Sequence, residues 1–174
     1  MMKRHTPLPH LWLMTDARMG EGLLPAIAAL PKGAGLVFRH YELGAAERRD
    51  MLDKVRKIAK ARRLVLVVAG KGGKHGRHRG AITAPVHSVR ERIAAERARA
   101  RLVFVSPVFA TASHPGAKPL GRVRFGLLIR GSKCPVVALG GMNARRARGL
   151  AAFKIHGWAG IDAFKRQKRK AVPT

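Results

Sequence analysis

The sequence predicts an α/β fold built on a parallel sheet, and three observations carry that prediction. Short apolar runs recur along the 174 residues. They are continuous and rich in β-branched residues rather than alternating, as strands buried on both faces are. Helical segments lie between them, and strand–helix alternation of this kind closes into a parallel sheet. The length fits one domain with a sizeable core, and 47% apolar residues exclude a disordered basic protein.

The first strand is read over Leu11–Met14 and stops at Thr15-Asp16. A second covers 36–38 and leads into Arg39. Beyond it, Met51, Leu52, Val55, Ile58 and Ala59 form the apolar stripe of a helix whose other face is basic. The third strand covers 64–69. Residues 70–80 follow with no apolar side chain, where a complete eight-stranded barrel places a helix and its fourth strand. This tract reads as a shortened, irregular crossover. A strand over 81–86 precedes Ser88-Val89-Arg90-Glu91, a capping box that starts a helix. Strands at 102–106 and 135–139 flank a long polar loop. Gly140-Gly141, with Asn143 as N-cap, opens a helix over 144–153, and a weaker strand covers 158–161. Seven strands fit either a doubly wound sheet or an eight-stranded barrel with one weak unit. The domain is expected over 1–164, with a basic tail at 165–174.

The 36 Lys and Arg outnumber the 9 Asp and Glu, for a formal net charge of +27. Such a field favours phosphorylated ligands or polyanions. Cations cluster in 70–80 (Lys71, Lys74, Arg77 and Arg79, with His75 and His78) and in the tail. Aromatic residues are only 5%, too few for a base-stacking surface, so nucleic acid is expected as a weak, non-specific partner at most. Cys134 is the single cysteine, so no internal disulfide or Cys-x-x-Cys site exists. No apolar run approaches the length of a membrane span. A cytoplasmic protein is the expectation.

Function is expected at the C-terminal ends of the strands, where a parallel barrel carries its chemistry. The most informative stretch is Ser106-Pro107-Val108-Phe109-Ala110-Thr111-Ala112-Ser113-His114-Pro115-Gly116, continuing to Pro119-Leu120-Gly121. A polar loop this long at a strand end is usually functional. It resembles the Gly-Pro-Val-Phe-x-Thr-x-Ser/Thr-Lys-Pro-Gly…Pro-Leu-Gly loop of the thiamine-phosphate synthase and thiazole tautomerase family. Leu11-Trp12-Leu13-Met14-Thr15-Asp16 is similar to that family's first strand, and Arg39 falls on the Arg of its second. His87-Ser88 with Glu91 resembles its Ser-x-His-Ser-x-x-Glu turn, and 135–142 its Pro-Val-Val-Ala-Ile-Gly-Gly-Ile segment. The resemblance implies a (β/α)8 TIM barrel, shortened, with the third-to-fourth unit degenerate.

The family's synthases join an aminopyrimidine diphosphate to a thiazole phosphate with Mg²⁺ held by two carboxylates, one after the third strand and one after the fourth. Ala69-Gly70 stand where the first acid is expected, and 70–80 contains no acid at all. Tyr41 and His114 replace two of the family's lysines, and Pro85 a serine. The resemblance therefore implies a barrel without its metal ligands, and no cofactor is expected. The tautomerase branch needs no metal, only an acid/base group and a phosphate cradle. His87 matches its proposed proton shuttle, and the helix start beside it favours a neutral imidazole. Arg39, Ser88, Thr111, Ser113, His114, Gly140, Gly141 and Gly160 are the implied substrate and phosphate ligands. Read without the family, His87 equally satisfies backbone groups at a helix start, and Gly140-Gly141 equally forms a plain tight turn. Asp16 is either an N-cap or a ligand for a substrate amine. Tautomerase-like proton transfer is preferred over synthase activity. An inactive phosphometabolite binder or a nucleic-acid-associated barrel are the rivals from other classes.

Overall fold

The computed structural model describes residues 7–113 and 116–164. Its strands are β1 (Leu11–Met14), β2 (Gly35–Phe38), β3 (Val65–Val68), β4 (Thr83–Val86), β5 (Leu102–Val105), β6 (Val136–Ala138) and β7 (Gly157–Gly160). All pair in parallel in one seven-stranded sheet of order β3-β2-β1-β7-β6-β5-β4. The order follows from a chain that winds one way round, with the N- and C-terminal strands meeting as β1 and β7. The helices are α1 (Leu23–Ala28), α2 (Ala45–Ala61), α3 (Val89–Arg97), α4 (Gly121–Ile129) and α5 (Ala144–Arg148). None is long and apolar enough to cross a membrane.

Among the described residues seven strands are present where the family resemblance implied eight. The sheet edges β3 and β4 are nevertheless joined through a single residue: His75 makes one parallel bridge to Ala69 and another to Thr83. The amides of Lys74 and His75 donate to the Val68 carbonyl at 2.8 and 3.1 Å, and Ile82 and Thr83 donate to the Lys74 carbonyl. Without apolar side chains the 70–80 tract cannot build a strand, but its backbone still supplies the donors and acceptors that two open edges require. His75 thus leaves the basic cluster in which the sequence placed it and becomes a buried residue.

The interior is filled across the sheet. Trp12 on β1 and Phe104 on β5 meet edge to face at 5.3 Å, and Trp12 Nε1 donates to the Pro9 carbonyl at 2.7 Å. Gly35 on the neighbouring strand makes room for that indole, since a Cβ there would lie 2.1 Å from the Trp12 ring. A second apolar cluster forms between β4–β6 and helices α3 and α4, around Val103, Val105, Phe125, Leu128 and Leu150. The helix expected over 144–153 is shorter. α5 ends at Arg148, and a 3-10 turn follows at Ala151–Phe153. α5 buries none of its residues, so packing rewards no further turns, and the chain instead turns inward to bury Leu150. The basic tail, 165–174, lies outside the described residues.

Candidate active site

The C-terminal ends of the strands surround a cavity of about 670 Å³. Its floor is apolar, with Met14, Phe104 and Leu139, and its polar wall comes from the loops that follow each strand. Volume and lining suit a small organic ligand with a charged substituent.

Of the residues implied by the sequence, Arg39, His87, Thr111, Ser113, Gly140, Gly141 and Gly160 all line this one cavity. Ser88 does not. Its hydroxyl accepts the Glu91 amide at 3.2 Å as the N-cap of α3, which places it in the helix start rather than the cavity wall. The capping box also closes differently, because Glu91 Oε2 accepts the amide of His87 rather than that of Ser88. His114 lies outside the described residues. Lys71, Lys74, Arg77 and Arg79 of the basic 70–80 tract do not line the cavity, and Arg77 instead pairs with Glu91 at 3.0 Å. His75 and Arg146 also line the cavity, and neither was read from the sequence as a site residue. Arg146 carried a signal: three residues past the cap Asn143, its long side chain leans back over the Gly140-Gly141 turn.

His87 follows β4 at the head of α3. Its Nδ1 lies 2.8 Å from the Ser106 carbonyl, which can only accept, so Nδ1 carries the proton. In the neutral ring Nε2 is then the free base. The second cavity histidine differs. Burial, reinforced by the Arg39 charge, pushes His75 down to about 4, and its Nδ1 lies 2.9 Å from Thr83 Oγ1.

Arg39 is held from below. Its Nε donates to the Thr15 carbonyl at 2.9 Å and its Nη2 to Asp16 Oδ2 at 3.3 Å. Burial lowers the Arg39 pKa, with Asp16 opposing that shift. Asp16 is an N-cap, accepting the Arg18 amide at 3.1 Å and Arg18 Nε at 2.8 Å. Burial would raise its pKa, but the Arg18 hydrogen bonds and the charges of Arg18 and Arg39 bring it below the usual value.

Across the cavity, Gly140 and Gly141 take φ of +96° and +59°. A Cβ on Gly141 would stand 2.3 Å from the Ala110 carbonyl oxygen, so only glycine lets the two loops approach. Among the described residues no acceptor takes the amides of Gly140 or Gly141. Thr111 Oγ1 and Ser113 Oγ sit 2.9 Å apart in the facing loop. Backbone amides and hydroxyls converging in this way suit a phosphate.

A family model described as thiamine monophosphate synthase matches residues 74–164, more than half of the chain. The chain belongs to the thiamine monophosphate synthase family. It is 26% identical over 182 aligned positions to a provisionally named thiamine-phosphate synthase 2 of Aquifex aeolicus, covering 90% of this chain and 98% of that one. Thiamine phosphate pyrophosphorylase from Pyrococcus furiosus superposes with a TM-score of 0.76 at 22% identity, over 92% of this chain and 89% of the other. The enzyme of the same name from Bacteroides thetaiotaomicron gives 0.54 at 14% identity, over 95% and 89%. These likenesses place the fold among the thiamine phosphate synthase barrels.

The donor set here does not suit the Mg²⁺ that the resemblance implied. Asp162 is the one carboxylate among the described lining residues, and Asp16 is engaged by two arginines. Mg²⁺ is normally held by one or two carboxylates with waters and substrate phosphates, and here two arginines share the cavity wall with the single acid. Among the described residues, no three His, Cys, Asp or Glu side chains gather as a metal-binding group.

Proposed function

We propose that this member of the thiamine monophosphate synthase family binds a phosphorylated thiazole-type intermediate and moves a proton on it through His87, without a metal. The observation that carries the reading is the Nδ1 contact of His87 to the Ser106 carbonyl, which leaves Nε2 as the proton-accepting atom of a cavity-lining histidine. The substrate's phosphate is held at Gly140-Gly141 with Thr111 and Ser113, and Arg39 faces the opposite end. Nε2 takes a proton from one position of a carboxythiazole ring and, as imidazolium, returns it to another. No redox partner or leaving group is needed. A positioned acid/base group of this kind contributes roughly 10²–10⁴-fold to rate.

The synthase reaction is the second reading, and the names of the matched family and relatives support it at least as well as the first. Incubation with the carboxythiazole phosphate tautomer, followed by proton NMR, tests the first reading. Incubation with aminopyrimidine diphosphate and thiazole phosphate, with Mg²⁺ or a strong chelator, tests the second. Isomerisation that resists chelator and is lost in His87→Gln is expected. Mg²⁺-dependent thiamine phosphate formation without isomerisation would replace the first reading by the second.

A further inference from the structure

We infer that Arg146 is the side-chain cation that holds the substrate's anionic group over the Gly140-Gly141 turn, and that it makes the site select a phosphorylated ligand over the uncharged alcohol. The inference rests on the phosphate-binding reading above and adds to it the residue that supplies charge.

Among the described residues two arginines line the cavity, Arg39 and Arg146. They differ in what already neutralises them. Arg39 faces the Asp16 carboxylate at 3.3 Å and spends its Nε on the Thr15 carbonyl. Arg146 has no carboxylate within ion-pair distance among the described residues. It is nonetheless held in place. Its Nη1 donates to the Gly141 carbonyl, and its guanidinium carbon lies 4.9 Å from the centre of the Phe109 ring. A guanidinium has five N–H groups, and the others have no acceptor among the described residues. A cation fixed by stacking and one hydrogen bond, with its charge uncompensated, loses little further freedom when an anion arrives.

The surroundings need that charge. Backbone amides and the hydroxyls of Thr111 and Ser113 carry no net charge, so they separate a phosphate from an alcohol less sharply than a guanidinium does. Discrimination by ligand charge therefore falls to Arg146, on the helix that the turn opens.

The test is calorimetric titration of the full chain with inorganic phosphate and, separately, with the unphosphorylated thiazole alcohol. Arg146→Ala should raise the Kd for phosphate roughly tenfold or more, as loss of a charge-assisted hydrogen bond does, and leave the Kd for the alcohol unchanged. Arg146→Lys should fall between, because an ammonium neither stacks nor forks. Equal phosphate affinity in wild type and Arg146→Ala overturns the inference, as does equal weakening of both ligands. Loss of phosphate binding in Gly141→Asp but not in Arg146→Ala leaves the phosphate site standing and removes only Arg146 from it. A wild-type chain that binds no phosphate overturns the site and the inference together. Circular dichroism checks each variant's fold; should Arg146→Ala fail to fold, Arg146→Gln is read by the same criteria.

Discussion

His75 and Thr83 are joined twice, by a parallel backbone bridge and by a 2.9 Å contact between Nδ1 and Oγ1. The imidazole also meets the Phe104 ring edge to face at 5.6 Å. One residue thus ties the sheet edges together and carries a polar group into the cavity wall.

This burial makes stability depend on pH. His75 titrates at about 4 in the fold, against about 6.5 in an unfolded chain. Its folded pKa is depressed, so between those values the unfolded chain binds the proton that the fold refuses. Stability falls as pH drops from 6.5 toward 4, by up to roughly 3 kcal/mol. Thermal unfolding of His75→Asn should show a flatter pH dependence over that window. Some slope remains, because burial lowers His40 as well. Identical slopes in wild type and variant would refute the assignment.

A second prediction concerns the outer face. Arg92 Nη1 lies 2.7 Å from Glu96 Oε1, and both side chains are nearly buried. The same carboxylate oxygen accepts the Lys133 amide at 3.0 Å. Burial would raise the Glu96 pKa, but the Lys133 amide and Arg92 bring it below the usual value. Its stabilisation is therefore full above the unfolded value near 4.3 and is lost as pH falls toward the folded one. Glu96→Gln leaves a buried cation uncompensated and should cost about 3 kcal/mol in urea unfolding at pH 7. The deficit should shrink as pH falls below the unfolded value near 4.3; a gap that stays constant throughout acid titration would contradict this account.

At the cavity, Gly141→Asp adds a side chain where a Cβ already collides with the Ala110 carbonyl, and it adds negative charge. Phosphate binding should disappear from calorimetric titration. Retained affinity would mean that phosphate sits elsewhere.

The positive charge carries its own prediction. Nucleic acid should bind weakly and without sequence preference, with affinity falling steeply as salt rises. Lys165, Arg166, Lys168, Arg169 and Lys170 supply part of that contact, so deleting 165–174 should reduce the salt slope by about 4. Fluorescence anisotropy at several salt concentrations measures it. Sequence-selective binding at physiological salt would place nucleic acid among the specific partners.

Strand positions were legible in the sequence because continuous β-branched runs have few alternative homes. Leu11–Met14 matches to the residue, and 36–38, 64–69 and 102–106 each contain or overlap a strand. The cavity was legible for a related reason. Residues at strand ends converge in any parallel barrel, so Arg39, His87, Thr111, Gly140 and Gly160 come together at or beyond the ends of five separate strands. Ser88 was misplaced because neighbouring residues at a helix start serve different masters, one the cavity and the other the helix amides.

Three features were decided by tertiary structure alone. His75 stands in a polar, glycine-rich tract, and its burial follows from two sheet edges that had to be satisfied by whatever backbone lay between them. Arg39 and Asp16 are 23 residues apart in sequence, and only the pairing of β1 with β2 turns one into the other's partner. Arg146 reads as one cation among many in a basic helix; the Phe109 ring and the Gly141 carbonyl single it out. Local pattern reports what a segment can bury, whereas the state of a charge depends on what the fold sets beside it, because Coulomb and desolvation energies are set by distance and burial rather than by order along the chain.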